Sequence, residues 1–217
     1  MKVKQWIENF WYHYKWTVII ATFFIVVAVV CISQMATKEH YDMYIRYVGD
    51  ASISDTQYQD IKRAFEKTKL DLNDDGETVV SFEQVAYISD PDNLMINEIN
   101  SMAKETLSVL VSQQYYIYLM DTAAYEVYKD SNAFERLDMI FEEDISDIAY
   151  DDYAIRFSQT DFCKGAAGME WVEDDIVMVL KIAPYKLSIK PTKDPAEVKL
   201  FEFHRELFKT MALGRAK

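Results

Sequence analysis

Residues 16–32 read WTVIIATFFIVVAVVCI and carry no charge. Ser33, Gln34, Met35 and Ala36 lengthen the run without adding one. At about 1.5 Å of rise per residue, roughly 20 residues cross the hydrocarbon core of a bilayer. Lipid offers no partner for a backbone N–H or C=O, so a lone segment there must close its hydrogen bonds internally as a helix. The run exceeds the ~7–15 apolar residues of a secretory signal, and Gln34-Met35-Ala36 lacks the small residues that cleavage needs. Cys31 follows Val29 and Val30, not the small residue that lipoprotein processing needs. The expectation is an uncleaved signal anchor over 16–36, preceded by an aromatic and basic flank over 1–15.

The flanks predict its orientation. Lys2, Lys4 and Lys15 stand before the run against Glu8 alone, and the chain after it is acidic. The positive-inside bias then puts the amino terminus in the cytoplasm and the bulk of the chain outside. Trp6, Phe10, Trp11, Tyr12, Tyr14 and Trp16 crowd the same edge. Indole and phenol rings favour the headgroup layer. Trp6, Trp11, Lys15 and Trp16 are therefore the candidate membrane-interface residues, with the lipid bilayer as partner. Trp6, Phe10 and Tyr14 recur every four residues, which suits a short helix lying in that layer.

Residues 37–40 form a connector that spans only ~14 Å when extended. Residues 37–217 hold 20 basic and 35 acidic side chains, a formal charge of −15. That charge repels a polyanion, so nucleic acid is excluded as a partner.

From residue 41 the pattern alternates. Tyr41 to Val48 reads as a strand, rich in aromatic and β-branched residues. Ser54-Asp55-Thr56-Gln57 is a capping box, and Tyr58, Ile61, Phe65 and Lys69 continue at helical spacing. A turn over 71–76 leads to a strand over 78–89. Asp90-Pro91-Asp92 breaks it, and a helix follows over 96–112. Tyr115 to Met120 is a short, nearly continuous apolar run, the signature of a strand covered on both faces. Residues 123–128 and 132–140 look helical. Glu142 to Asp152 is an acidic stretch without a clear element. Residues 154–157 and 176–182 read as strands able to pair as a hairpin around a loop at 164–174. Asp194, Pro195 and Glu197 start a final helix, lined by Val198, Phe201, Arg205, Phe208 and Met211. The expectation is an α/β domain over 41–217: three layers, a largely parallel sheet with crossover helices, and a C-terminal helix.

The layout resembles a family. The WYHYKW patch before one membrane helix is similar to single-pass surface proteins of Gram-positive bacteria. Their outer domains look like one lobe of an extracellular solute-binding protein. The stretches that carry the likeness are DLNDDGETVVSF, YYIYLMDTAAYEVYKDSNAFERLD and DPAEVKLFEF. In that family the middle stretch is a buried strand, an Asp at its end and a following segment near the hinge. The chain has room for one lobe, whereas two lobes need ~300 residues.

Three constellations are candidates for chemistry. Asp50, Asp90 and Asp121 each follow a predicted strand, and ligands of open α/β sheets bind beyond the carboxyl ends of strands. Converging there, they would suit a cation or an amine, although Asp in such loops also serves as a helix cap. Asp71, Asn73 and Asp75, with Gly76, match the opening of a calcium loop. Its closing carboxylate should fall at Phe82, and Glu83 is one residue late; a solvated turn explains the same letters. The acidic tract Glu142, Glu143, Asp144, Asp147, Asp151 and Asp152 is the third, suited to a basic partner or to hydration alone. No His pair has metal spacing, and there is no GxSxG, phosphate-cradling Gly loop or CxxC. The two cysteines, Cys31 and Cys163, offer no framework. The expectation is a membrane-anchored extracytoplasmic binding or interaction module, not an enzyme, for an envelope protein or small ligand. It has no cofactor, with calcium the one candidate. The alternatives are an envelope enzyme using the strand-end carboxylates, or a structural subunit of a membrane complex.

Overall fold

A computed structural model describes residues 2–36, 41–50, 53–88, 95–98, 100–101, 115–183 and 194–214. The chain divides into two compact units, Met1–His40 and Tyr41–Lys217.

The first unit is one continuous helix, α1, Lys2–Ala36. Its stretch Phe10–Ser33 is long and apolar enough to cross a membrane. The 24 residues of that stretch rise about 36 Å, a little more than a ~30 Å hydrocarbon core. The aromatic flank is not a separate short helix: it continues the same rod, because no Pro or Gly interrupts residues 2–36. Trp6 and Phe10 stack with ring centroids 5.7 Å apart, and Phe10 and Tyr14 with centroids 5.2 Å apart. The i, i+4 spacing makes that ladder. Trp6, Trp11, Lys15 and Trp16 are all exposed along it.

The second unit is α/β. It contains β1 (Met43–Gly49), α2 (Asp55–Glu66), β2 (Val80–Ala86), β3 (Ile117–Asp121), α3 (Thr122–Tyr128), α4 (Leu137–Ile140), β4 (Ala154–Arg156), α5 (Asp161–Gly165), β5 (Ile176–Leu180) and α6 (Pro195–Leu213). The five strands form one sheet in the order β2-β1-β3-β5-β4. β2, β1 and β3 run parallel, while β5 lies antiparallel to both β3 and β4. The sheet is therefore mixed rather than largely parallel: the hairpin-like pair expected at 154–157 and 176–182 joins the parallel half through β5. Residues 132–140 are helical only at Leu137–Ile140, because Phe134 bridges to Lys181 and extends the sheet instead. The loop expected at 164–174 is preceded by a one-turn helix, α5, capped by Thr160 accepting from Cys163 N–H. Of the helix expected at 96–112, Met95–Glu98, Asn100 and Ser101 are helical; the rest lies outside the described residues.

Strand alternation sorts the core into two apolar clusters. Met43, Ile45 and Tyr47 of β1 join Ile117 and Leu119 of β3, Ile61 and Phe65 of α2, and Phe201, Leu207 and Phe208 of α6. Val48, Tyr118, Met120, Val177 and Val179 meet Ala124 and Tyr125 of α3 in the other.

Candidate functional site

The parallel register of β1 with β3 brings two of the candidate aspartates together. Val48 pairs with Met120, so β1 and β3 end at the same edge one residue later, at Gly49 and Asp121. Asp121 Oδ2 accepts the Asp50 N–H at 2.7 Å, and Asp121 Oδ1 accepts the Tyr47 hydroxyl at 2.7 Å. Asp90 lies outside the described residues.

Neither aspartate caps a helix with its side chain. Asp121 occupies the N-cap position of α3 but makes no side-chain capping bond. Ser54, not Asp50, caps α2. The Asp121 carboxyl instead points back across the strand ends, and Gly49 makes room for it. A Cβ on Gly49 would stand 2.2 Å from Asp121 Oδ1 and 2.3 Å from the Tyr47 hydroxyl. Tyr47 is buried, with the Trp171 ring edge-on at 5.3 Å.

Tyr47, Asp50, Asp121, Glu173, Asp175 and Ile176 line a pocket of about 300 Å³. Four of its six lining residues are acidic, so its field favours a cation. Burial raises the Asp121 carboxyl above its ordinary value; the Asp50 amide and Tyr47 hydroxyl pull it down, and the charges of Asp175 and Asp50 push it up. The loop before β5 is tied to the site by Thr122 N–H donating to Asp175 O at 2.8 Å. Tyr47, Glu173 and Asp175 escaped sequence reading. Tyr47 reads as an ordinary strand aromatic, and the two acids precede a strand whose antiparallel direction brings its start to this edge.

The second constellation forms a self-satisfied turn. Asp71 Oδ1 accepts the N–H groups of Asn73 at 3.1 Å and Asp74 at 2.7 Å, and Oδ2 accepts that of Gly76 at 2.8 Å. These amides hold the Asp71 carboxyl below its ordinary value, Gly76 most of all. Asn73 Oδ1 accepts from Asp75 N–H, and Asp75 Oδ1 from Glu77 N–H. Asp74 and Gly76 take positive φ, 61° and 86°, which Asn, Asp and Gly tolerate best. Beyond the loop, Phe82 packs into the core and Glu83 pairs with Arg46. Among the described residues no group of three or more His, Cys, Asp or Glu is arranged to hold a metal ion.

The acidic tract splits: Glu142, Glu143 and Asp144 are exposed, while Asp151 accepts the Tyr125 hydroxyl and the N–H groups of Tyr153 and Ala154. No protein-family model, curated protein or solved structure matches this chain.

Proposed function

We propose that the chain is a membrane-anchored, extracytoplasmic binding module whose strand-end pocket receives the cationic group of a small ligand. One observation carries this reading. The half-buried Asp121 carboxylate is oriented by Tyr47 and the Asp50 amide, does no capping work, and opens into a pocket with three further acidic side chains. An ammonium group there gains charge-assisted hydrogen bonds in a partly desolvated setting. The lysines before the apolar span support a cytoplasmic amino terminus. The two apolar clusters support a three-layer arrangement, and with the resemblance noted above they favour a single lobe of solute-binding type.

The test follows thermal unfolding of the full chain in maltoside detergent with ethanolamine, putrescine or lysine added, against ethylene glycol as neutral control. The expected result is a saturable rise in midpoint with at least one amine, none with the glycol, and loss of the rise in Asp121→Asn. A flat response to all three amines overturns the reading.

A second reading, an envelope enzyme, draws on the raised Asp121 carboxyl beside the Tyr47 hydroxyl. A carboxyl moved upward by burial is the usual starting point for a general acid.

A further inference from the structure

Arg46 lies in the middle of β1 and is 2% exposed. It neighbours Tyr47 in sequence but projects from the opposite face of the sheet, as strand alternation requires. Glu83 stands directly across from it on β2, and its carboxylate accepts from Arg46 Nη2. The guanidinium carbon sits 3.8 Å from the centroid of the Tyr115 ring, a cation–π stack. Two donors remain: Nε and Nη1 are shielded from water and have no hydrogen-bond partner among the described residues, while the Tyr118 hydroxyl bears on the same guanidinium. Arginine cannot shed its charge, so leaving its N–H groups unmatched away from water is costly, unlike the same omission at the surface. An unsatisfied buried group of this kind calls for an explanation, and acceptors brought by a bound molecule supply one.

The surroundings have the chemistry of an anion site. Tyr44, Ser81 and Tyr115 are partly exposed and Glu83 is 46% exposed, so these residues form a rim over the guanidinium. The Ser81 hydroxyl lies 3.3 Å from that of Tyr115. Burial raises the Tyr44 and Tyr115 phenols and pushes that of Tyr118 up to about 12. All three therefore stay protonated at neutral pH and can donate. Lys181 adds a second buried positive charge, 2% exposed, with its ammonium 4.9 Å from the Tyr116 ring centroid. Burial pushes Lys181 down to about 8; Glu197 opposes that shift and the charge of Arg46 adds to it. Two buried cations within electrostatic reach of one another draw an anion to this part of the molecule.

We infer that Arg46 is the floor of a second binding site, for a small oxyanion group such as a carboxylate or phosphate, entered past Glu83 and Tyr115. The oxyanion's oxygens accept from Nε and Nη1, and the rim hydroxyls donate to those that remain. Glu83 is the resident competitor: its carboxylate occupies Nη2 and repels the incoming charge. The site is separate from the acidic strand-end pocket and takes a ligand of opposite sign.

The test uses the full chain in maltoside detergent, which carries neither phosphate nor carboxylate. Thermal unfolding is followed with sodium phosphate and sodium acetate against sodium chloride at matched ionic strength. The expected result is a saturable rise in midpoint with phosphate or acetate. Arg46→Gln weakens the apparent affinity at least tenfold, and Glu83→Gln tightens it severalfold. A flat response in the unsubstituted chain overturns the inference. So does a rise shared equally by Arg46→Gln, since excluded salts stabilise any folded protein. Should Arg46→Gln not fold, Glu83→Gln and Tyr115→Phe carry the test, and an unchanged oxyanion response in both overturns it.

Discussion

His204 is buried in the second unit with both ring nitrogens engaged. Nε2 accepts the Tyr44 N–H at 3.0 Å, so Nδ1 must carry the hydrogen, which it donates to Leu200 O at 2.8 Å. That pairing suits only the neutral ring. Burial lowers its pKa to about 4; the Leu200 carbonyl pulls the other way and Lys181 adds to the lowering. An unfolded histidine titrates near 6.5. Between those values the unfolded chain binds the proton and the folded chain does not. The contribution to stability is complete above about pH 6.5 and is lost as pH falls toward 4, amounting to ~3 kcal/mol in all. The expected outcome is a urea midpoint that drops across this window and a shallower drop in His204→Gln. Because carboxylates also titrate on the acid side, the difference between the two profiles is the measurement. Equal slopes would show that His204 contributes nothing to the pH dependence.

At the scale of elements, local signals set where helices begin. Ser54 Oγ accepts the Gln57 N–H, and Gln57 Oε1 accepts the Ser54 N–H at 2.9 Å, closing the box read from the letters. α6 starts with Asp194 accepting the Ala196 N–H at 3.0 Å, Pro195 in its first turn, and ends at Gly214 with φ 65°. Each device satisfies amides or carbonyls that a helix end leaves open. Ser54→Ala removes one acceptor and should cost ~1 kcal/mol. Chemical denaturation reads that cost, and Ser54→Asp, which keeps an acceptor, should recover most of it. Strands gave weaker signals. The Ile176–Leu180 run (IVMVL) is buried throughout, and an apolar run reads the same whether its strand runs parallel or antiparallel. Its direction was therefore not legible, and with it went the proximity of Glu173 and Asp175 to Asp121.

For the whole molecule, the charge asymmetry bears on placement. The 35-residue helix α1 carries Lys2, Lys4 and Lys15 in its first half, and residues 37–217 carry −15. If the bulk of the chain is outside, proteinase added to intact cells digests residues 41–217 while an amino-terminal tag survives. Digestion of the tag with survival of the bulk would reverse the orientation. The sequence alone determined the membrane-length helix, the capped starts of α2 and α6 and the α/β order, because each depends on contacts within a few residues of chain. Only the tertiary structure decided that Asp121 turns from its capping position toward Tyr47 and the Asp50 amide, and that Arg46 faces Glu83 with two donors unmatched among the described residues. Those meetings join residues 37 to 74 positions apart. They depend on strand register and direction, which cross-strand packing fixes and local composition does not.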